Sequence, residues 1–198
     1  MPSASRVLHC LAVLLVVGAA AIPQDVVAQA APAIRPPSSD STPRPAARAA
    51  DVASPDAIIA ALYDVISGGI GVKRDWDRFR SLFVPNARLM PARVRPDGSA
   101  DVGMLSADDY AARSGASLER TGFFEREIAR KTESYGAIMH VFSTYESRRT
   151  LNDAMPFARG INSIQLLKDK DRWWVVSVYW DSERPGNELP AKYLPPKP

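Results

Sequence analysis

The sequence has 198 residues and a formal net charge of +3, and its length suits one domain with additional segments at the ends. From Ser54 onward, 21 Lys and Arg residues stand against 19 Asp and Glu residues. The chain therefore lacks the basic excess that binding to nucleic acid phosphates requires. Its single cysteine, Cys10, lies in the apolar N-terminal stretch, which excludes disulfides and thiolate metal sites from the rest of the chain.

The first 30 residues have the organisation of a signal peptide. Arg6 precedes an apolar stretch, residues 7–22, which is short for a membrane span of roughly 20 residues. Ala28-Gln29-Ala30 offers the small-x-small pattern of signal peptidase sites, so we expect cleavage before Ala31 and a periplasmic or secreted protein without membrane attachment. An uncleaved membrane anchor is the alternative.

A linker and three helices follow. Residues 31–53 are rich in Ala, Pro, Ser and Arg, which predicts a disordered linker because too little apolar surface is available for burial. A good N-cap and apolar residues at helical spacing predict a helix over residues 54–66. The same reasoning predicts a short helix over residues 75–84 and a longer one over residues 106–118.

Strands account for the remainder of the predicted domain, residues 54–184. Residues 87–94 alternate well enough for a strand, and Pro91 favours an edge or a bulge there. Branched and aromatic residues predict four further long strands: Phe123–Ser134, Ala137–Thr150, Phe157–Leu167 and Trp173–Glu183. Residues 185–198 form a proline-rich tail that we expect to be extended and loosely packed.

The last of these strands is apolar on both sides. Strict alternation would place Trp173 and Tyr179 on one face and Trp174 and Trp180 on the other. Both faces must then be covered, one by the core and one by something else. Alternation alone leaves open which face lies inward.

Two segments carry a family resemblance. Asp171-Arg172-Trp173-Trp174-Val175-Val176-Ser177 and the segment from Asp75-Trp76 through Phe79, Leu82, Phe83 and Ala87 resemble motifs of the nuclear-transport-factor-2-like superfamily, in particular its SnoaL-like branch. The resemblance implies an α+β domain in which a cone-shaped, curved antiparallel sheet wraps around N-terminal helices, a nuclear-transport-factor-2-like or cystatin-like roll. It also implies a cavity under the sheet and a homodimer through the outer face of the sheet.

Enzymes of this superfamily place a base and hydrogen-bond donors in that cavity. The candidate base here is His140, in the middle of a predicted strand, with Tyr179 and Asp181 as partners at the end of the Trp-rich strand. Alternatively, His140 is a core histidine with one hydrogen-bond partner, and Asp181 is a surface charge.

Candidate ligand-binding residues are aromatic or polar side chains of the predicted helices and strands: Tyr63, Trp76, Glu127, Arg159, Asn162, Trp173 and Trp180. An arginine such as Arg159 could hold a carboxylate, although an ion pair with a neighbouring acid is its other use. We expect neither a metal nor a cofactor, since no acidic pair has the spacing of a calcium loop and only one histidine follows the signal peptide.

Three functions remain open at this level. The first is an exported domain whose aromatic cavity binds a small apolar or amphipathic molecule. The second is an acid–base enzyme of the isomerase, dehydratase or cyclase type, with His140 in the cavity. The third is a homodimeric module that presents the outer face of the sheet to a partner.

Overall fold

The structure, a computed structural model, describes residues 44–196. It confirms the predicted α+β class, because a curved six-stranded sheet packs with helices around one core. The helices are Ala49–Val52 (α1), Pro55–Ile66 (α2), Trp76–Ser81 (α3) and Ala107–Thr121 (α4). The strands are Phe83–Val94 (β1), Ala100–Val102 (β2), Phe124–Tyr135 (β3), Ile138–Arg148 (β4), Ala158–Asp169 (β5) and Arg172–Ser182 (β6). The predicted signal peptide lies outside the described residues.

The sheet is mixed, where the sequence predicted an antiparallel one. Its order is β2-β1-β6-β5-β4-β3, and every neighbouring pair is antiparallel except β1 and β6, which are parallel. β6 pairs with β5 along one edge and with β1, the first long strand of the domain, along the other. The pairing of Leu89 with Val178 marks this parallel contact at the centre of the sheet.

An irregularity in β6 overturns the strict alternation that the sequence suggested. Gln165 pairs with Ser177, but the next residue of β5, Leu166, pairs with Val175, so β6 has one extra residue, Val176, at this point. Such a bulge shifts the side-chain alternation by one residue. Val175 and Val178 are therefore both buried in the core, and Trp173 and Trp180 both pack against it.

The helix starts follow their capping residues. The Ser54 side chain accepts a hydrogen bond from the Ala57 amide at 3.0 Å at the start of α2, and Ser106 forms a capping box with Asp109 at the start of α4. The short helix α3 ends at Ser81, earlier than predicted. Phe83 belongs instead to β1, where it pairs with Val175 of β6 and is fully buried.

A buried arginine fixes the ends of two helices. Arg74 donates hydrogen bonds to the carbonyls of Ile66 (2.8 Å), the last residue of α2, and of Gly68 (2.8 Å) just after it. It also donates to the carbonyl of Leu118 (3.2 Å) in the last turn of α4. These carbonyls have no partner within their own helix or turn, and a cation is favourable at helix C-termini. A Cβ atom at Gly68 would lie only 2.5 Å from the Arg74 guanidinium, so this contact requires glycine.

Both ends of the described chain pack on the domain. Asp51 of α1, in the last residues of the predicted linker, is buried and accepts hydrogen bonds from Arg78 at 2.7 and 2.9 Å. In the tail, the ring of Tyr193 packs 5.0 Å from Phe142, and its carbonyl accepts a hydrogen bond from Thr144 at 2.6 Å. Within residues 44–196, no helix combines the length and the apolar character needed to cross a membrane.

Candidate functional site

A cavity of about 210 Å³ lies between the helices and the inner face of the sheet, and we call it the inner cavity. Its walls come from α2, α3 and α4 and from β1, β3, β4, β5 and β6 or the residues just before these strands. The lining residues are Leu62, Tyr63, Ile66, Phe79, Leu89, Tyr110, Phe123, Glu125, Tyr145, Ser147, Phe157, Ala158, Asn162, Val178 and Trp180. Pockets that hold drug-sized ligands measure roughly 300–1,000 Å³, so this smaller cavity suits a molecule below drug size.

Glu125 is the charged residue of the inner cavity. It lies near the start of β3, opposite Ser147 of β4, whose hydroxyl donates to its carboxylate at 2.9 Å. Burial raises the pKa of the Glu125 carboxyl to about 7, although hydrogen bonding by Ser147 and Asn162 acts in the opposite direction. Such a carboxyl exchanges its proton near neutral pH, where it can serve as hydrogen-bond donor, as acceptor or as a base.

A hydrogen-bonded chain runs along the cavity wall beside Glu125. The Asn162 amide donates to the Tyr63 hydroxyl at 3.0 Å, and the Tyr63 and Ser143 hydroxyls lie 2.7 Å apart. Ser143 in turn donates to the carboxylate of Glu127. Because Ser143 gives its proton to Glu127, Tyr63 is the donor to Ser143, and the direction of the whole chain is fixed.

Tyrosines supply neutral hydroxyls to the same cavity. Burial raises the pKa of Tyr145 to about 12, and it raises the pKa of Tyr63 and of Tyr110 still further above the ordinary value. The charge of Glu125 acts in the same direction on all three. These hydroxyls therefore stay protonated at physiological pH. The Tyr63 proton is already donated to Ser143, so Tyr110 and Tyr145 are the hydroxyls that can donate to a ligand.

A wider cleft of about 670 Å³ adjoins the inner cavity beside α2 and β3, and we call it the side cleft. Tyr63 and Glu125 line both spaces, so they stand at the boundary between them. The cleft also contains Glu127 and Arg130, whose side chains are joined by a hydrogen bond of 2.5 Å.

The predicted catalytic residues lie on the opposite face of the sheet, which corrects their expected placement in the cavity. The His140 ring contacts Phe142 and shares a hydrogen bond of 2.9 Å with Ser163, while Val141 next to it is fully buried in the core. Tyr179 is 45% exposed, in contrast to its buried neighbour Val178. The physical reason is the alternation of side chains along a strand, which turns each of these residues away from the core.

Asp181 and Arg159 are on that outer face too. Asp181 accepts a hydrogen bond from Arg184 at 2.7 Å. Arg159 forms a bidentate ion pair with Glu183, with hydrogen bonds of 2.8 and 3.0 Å. Arg159 therefore has the ion-pair use that the sequence left open, and neither residue borders the inner cavity.

The structure brings together only part of the predicted ligand-binding set. Tyr63, Asn162 and Trp180 line the inner cavity, and Glu127 lines the side cleft. Trp76 packs behind the cavity wall, 5.5 Å from the ring of Phe79, and Trp173 packs against the core.

Three residues of the inner cavity were not predicted from the sequence: Tyr110, Tyr145 and Glu125, whose carboxyl has a raised pKa. One signal could have found Glu125. It precedes the predicted site residue Glu127 by two positions in the same strand, so the two share a face. Within residues 44–196, no group of three or more His, Cys, Asp or Glu side chains is arranged to hold a metal ion.

Comparisons with known proteins concern the fold. No protein-family model matches the sequence, and no curated protein does. Among solved structures, the chain is similar to a protein of unknown function with a cystatin-like fold from Nostoc punctiforme PCC 73102, with 11% identity over 63% of this chain and 84% of that one and a TM-score of 0.47. It is also similar to an NTF2-like protein of unknown function from Shewanella baltica OS155, with 17% identity, coverage of 64% and 91% and a TM-score of 0.40.

A third similar structure is that of a candidate dehydratase of the NTF2-like family from Streptomyces avermitilis. The identity is 12%, the alignment covers 66% of this chain and 99% of that one, and the TM-score is 0.45. At such identities the similarity implies no shared activity. The structural neighbours of this chain are thus NTF2-like and cystatin-like proteins.

Proposed function

We propose that this protein is an exported small-molecule-binding domain of the SnoaL-like kind, and that the inner cavity is its binding site. The observation that supports this most is the combination in one cavity of aromatic walls with a few converging polar groups, Glu125, Asn162 and the tyrosine hydroxyls. Binding sites for small molecules have this composition, because apolar walls supply affinity and a few polar groups fix orientation. The ligand is a small apolar or amphipathic molecule.

The test is binding of a small neutral fluorescent dye such as 2-naphthol, measured together with mass spectrometry of small molecules that co-purify with the domain. Val178→Phe should reduce dye binding strongly because Val178 lines the cavity and the larger ring fills it. Val176→Phe is the matched control, since Val176 is exposed on the same strand and lies outside the cavity lining. Circular dichroism checks that both variants fold. Equal dye binding by the two variants, or none by the wild type, would contradict the proposal.

A second function, acid–base catalysis, is favoured by one observation. Glu125 has a pKa of about 7 and lies in the same cavity as Tyr145, a neutral donor. A carboxylate base beside a hydroxyl donor can remove a proton next to a carbonyl while the hydroxyl stabilises the enolate. Glu125 takes the role here that the sequence suggested for His140.

Deuterium exchange would test this second function. In D₂O the protons next to the carbonyl of a small ketone such as cyclohexanone should exchange faster with the protein than without it, as followed by NMR. The acceleration should rise with pH to a plateau above about pH 7 and disappear in Glu125→Gln, as expected for a base with the raised pKa of Glu125. An acceleration that survives Glu125→Gln but is lost in His140→Ala would refute this assignment.

Export and self-association complete the proposal. The signal-peptide pattern supports a periplasmic or secreted location, and the mass of the protein recovered from the periplasm should correspond to a chain that begins at Ala31. Half-exposed aromatic and branched residues on the outer face, such as Tyr179 and Val176, support a homodimer through the sheet. A monomer at high concentration in sedimentation experiments would contradict the dimer.

A further inference from the structure

We infer that the inner cavity selects small organic cations that carry a substituted ammonium group over neutral or anionic molecules of the same size. This inference rests on the proposed function, since it names the class of ligand for the same cavity. Three observations support it: the aromatic walls, the sign of the charge in the cavity, and the pairing of the nearby arginines.

Aromatic rings surround the cavity. Seven of its lining residues are aromatic, namely Tyr63, Phe79, Tyr110, Phe123, Tyr145, Phe157 and Trp180. One of these rings, Phe157, already has a cation over its face, the Arg149 guanidinium 3.9 Å from the ring centroid. Several of them contact one another, with ring centroids 5.4 Å apart for Phe79 and Tyr110 and 6.5 Å apart for Tyr110 and Trp180. The faces of such rings carry partial negative charge, so rings that enclose a space attract a cation, and this is how substituted ammonium groups are recognised in aromatic cages.

The charge within the cavity has one sign. Among the described residues that line it, Glu125 is the only carboxylic acid, and none is Lys, Arg or His. A carboxylate ligand would therefore meet a like charge and no counter-ion, which makes its burial costly. An ammonium ligand would meet both the rings and a carboxylate.

The arginines near Glu125 already have carboxylate partners. In the side cleft, Arg130 pairs with Glu127 and with Asp56, and Arg126 and Arg148 share the carboxylate of Glu146. These guanidinium groups therefore do not neutralise Glu125, which leaves its carboxylate as the acidic group that a cation can reach from the cavity.

Binding of the cation is coupled to the proton on Glu125. In the absence of a cation, burial holds the pKa of Glu125 near 7. A cation beside the carboxylate lowers that pKa, so its binding releases the Glu125 proton to solvent at or below neutral pH. The other ionisable groups that face Glu125 are Tyr63 from α2, Tyr110 from α4 and Tyr145 from β4, which remain neutral in this range. Affinity for the cation should accordingly rise from pH 6 to pH 8.

Choline and 3,3-dimethylbutan-1-ol are the probes for this inference, because they share size and shape and differ in the positive charge. Isothermal titration calorimetry of the full-length mature protein at pH 8 should show choline binding about tenfold more tightly than the alcohol. Glu125→Gln keeps the size of the side chain and should remove most of that preference. Glu183→Gln is the control, since Glu183 pairs with Arg159 on the outer face, and it should leave the preference unchanged.

The outcomes separate the inference from the proposed function. If the alcohol and a neutral dye bind but choline binds no better, the cation inference is wrong and the binding function stands. If the preference for choline persists in Glu125→Gln, the inference is wrong, because Glu125 is then not the group that selects the cation. If neither probe nor the dye binds, both the inference and the proposed function fail.

Discussion

The polar side chains that line the inner cavity and those on the outer face of the sheet have different kinds of partner, although the same strands supply both. On the inner face, Glu125 and Asn162 are held by hydroxyls and amides at the edge of an aromatic cavity. On the outer face, carboxylates meet arginines in ordinary ion pairs, as Glu183 does with Arg159. A charged residue in the sequence therefore indicates little about function until the face of the sheet on which it lies is known. An acid with a cation partner is already satisfied, whereas an acid with only neutral partners can still respond to a ligand or a proton.

The largest difference between the faces should appear when leucines next to each other in β5 are truncated. Leu166 is 1% exposed in the core, while Leu167 is half-buried on the outer side of the sheet. Leu166→Ala should lower the free energy of unfolding by about 3 kcal/mol, because it removes buried contacts and leaves a cavity. Leu167→Ala should cost about 1 kcal/mol. Urea denaturation measures both, and equal losses would mean that the assignment of the two faces is wrong.

The next largest effect concerns the pH dependence of stability. A carboxyl whose pKa is raised in the folded protein binds its proton more tightly there than in the unfolded chain, so stability falls as the pH rises from about 4.5 to about 7. Glu125→Gln should remove this fall and make the protein more stable than the wild type at pH 8, by on the order of 2 kcal/mol, with little difference at pH 4.5.

The outer face supplies a control of opposite sign for that experiment. The Arg159 guanidinium holds the pKa of Glu183 below its ordinary value, so this pair stabilises the protein at neutral pH and is lost as the pH falls below about 4.5. Glu183→Gln should therefore lower stability at neutral pH, and its difference from the wild type should disappear as the pH falls below about 4.5. Denaturation curves recorded between pH 3 and pH 8 would reveal both effects, and a Glu125→Gln profile parallel to that of the wild type would contradict the prediction.

A smaller difference is expected for two serines. Ser143 is fully buried between Tyr63 and Glu127, and Ser143→Ala should cost about 2 kcal/mol because both partners lose a hydrogen bond inside the protein. Ser163 bonds His140 on the outer face, and Ser163→Ala should change stability by about 0.5 kcal/mol or less. Thermal unfolding of the two variants tests the comparison, which fails if Ser163→Ala is the more damaging change.

The smallest effect is expected for His140 itself. His140→Ala should leave the dissociation constant of a cavity ligand unchanged within about twofold, because the His140 side chain lies on the far side of the sheet from the cavity. Asn162→Ala should raise the dissociation constant of the same ligand, since Asn162 lines the cavity. A fluorescence titration with 2-naphthol compares the two, and a stronger loss in His140→Ala would contradict the site assignment.

Much of the fold could be predicted because its signals are local. Caps at Ser54 and Ser106 and the branched, aromatic composition of the long strands depend on neighbouring residues, and the elements formed close to where they were expected. The candidate site was harder, since its members come from separate elements. Tyr63, Asn162 and Trp180 line the inner cavity, whereas His140 and Tyr179 lie on the other face of the sheet, and strand periodicity alone does not decide which face is which.

The sequence by itself determined the α+β class, the order of its helices and strands, and the type of residue available for binding, because periodicity and capping are properties of short segments. Only the tertiary structure decided which face of each strand meets the core. The bulge at Val176 places Trp173 and Trp180 on the same side, which no strict alternation could show. The tertiary structure likewise gave Glu125 its raised pKa, since burial depends on elements distant in the chain.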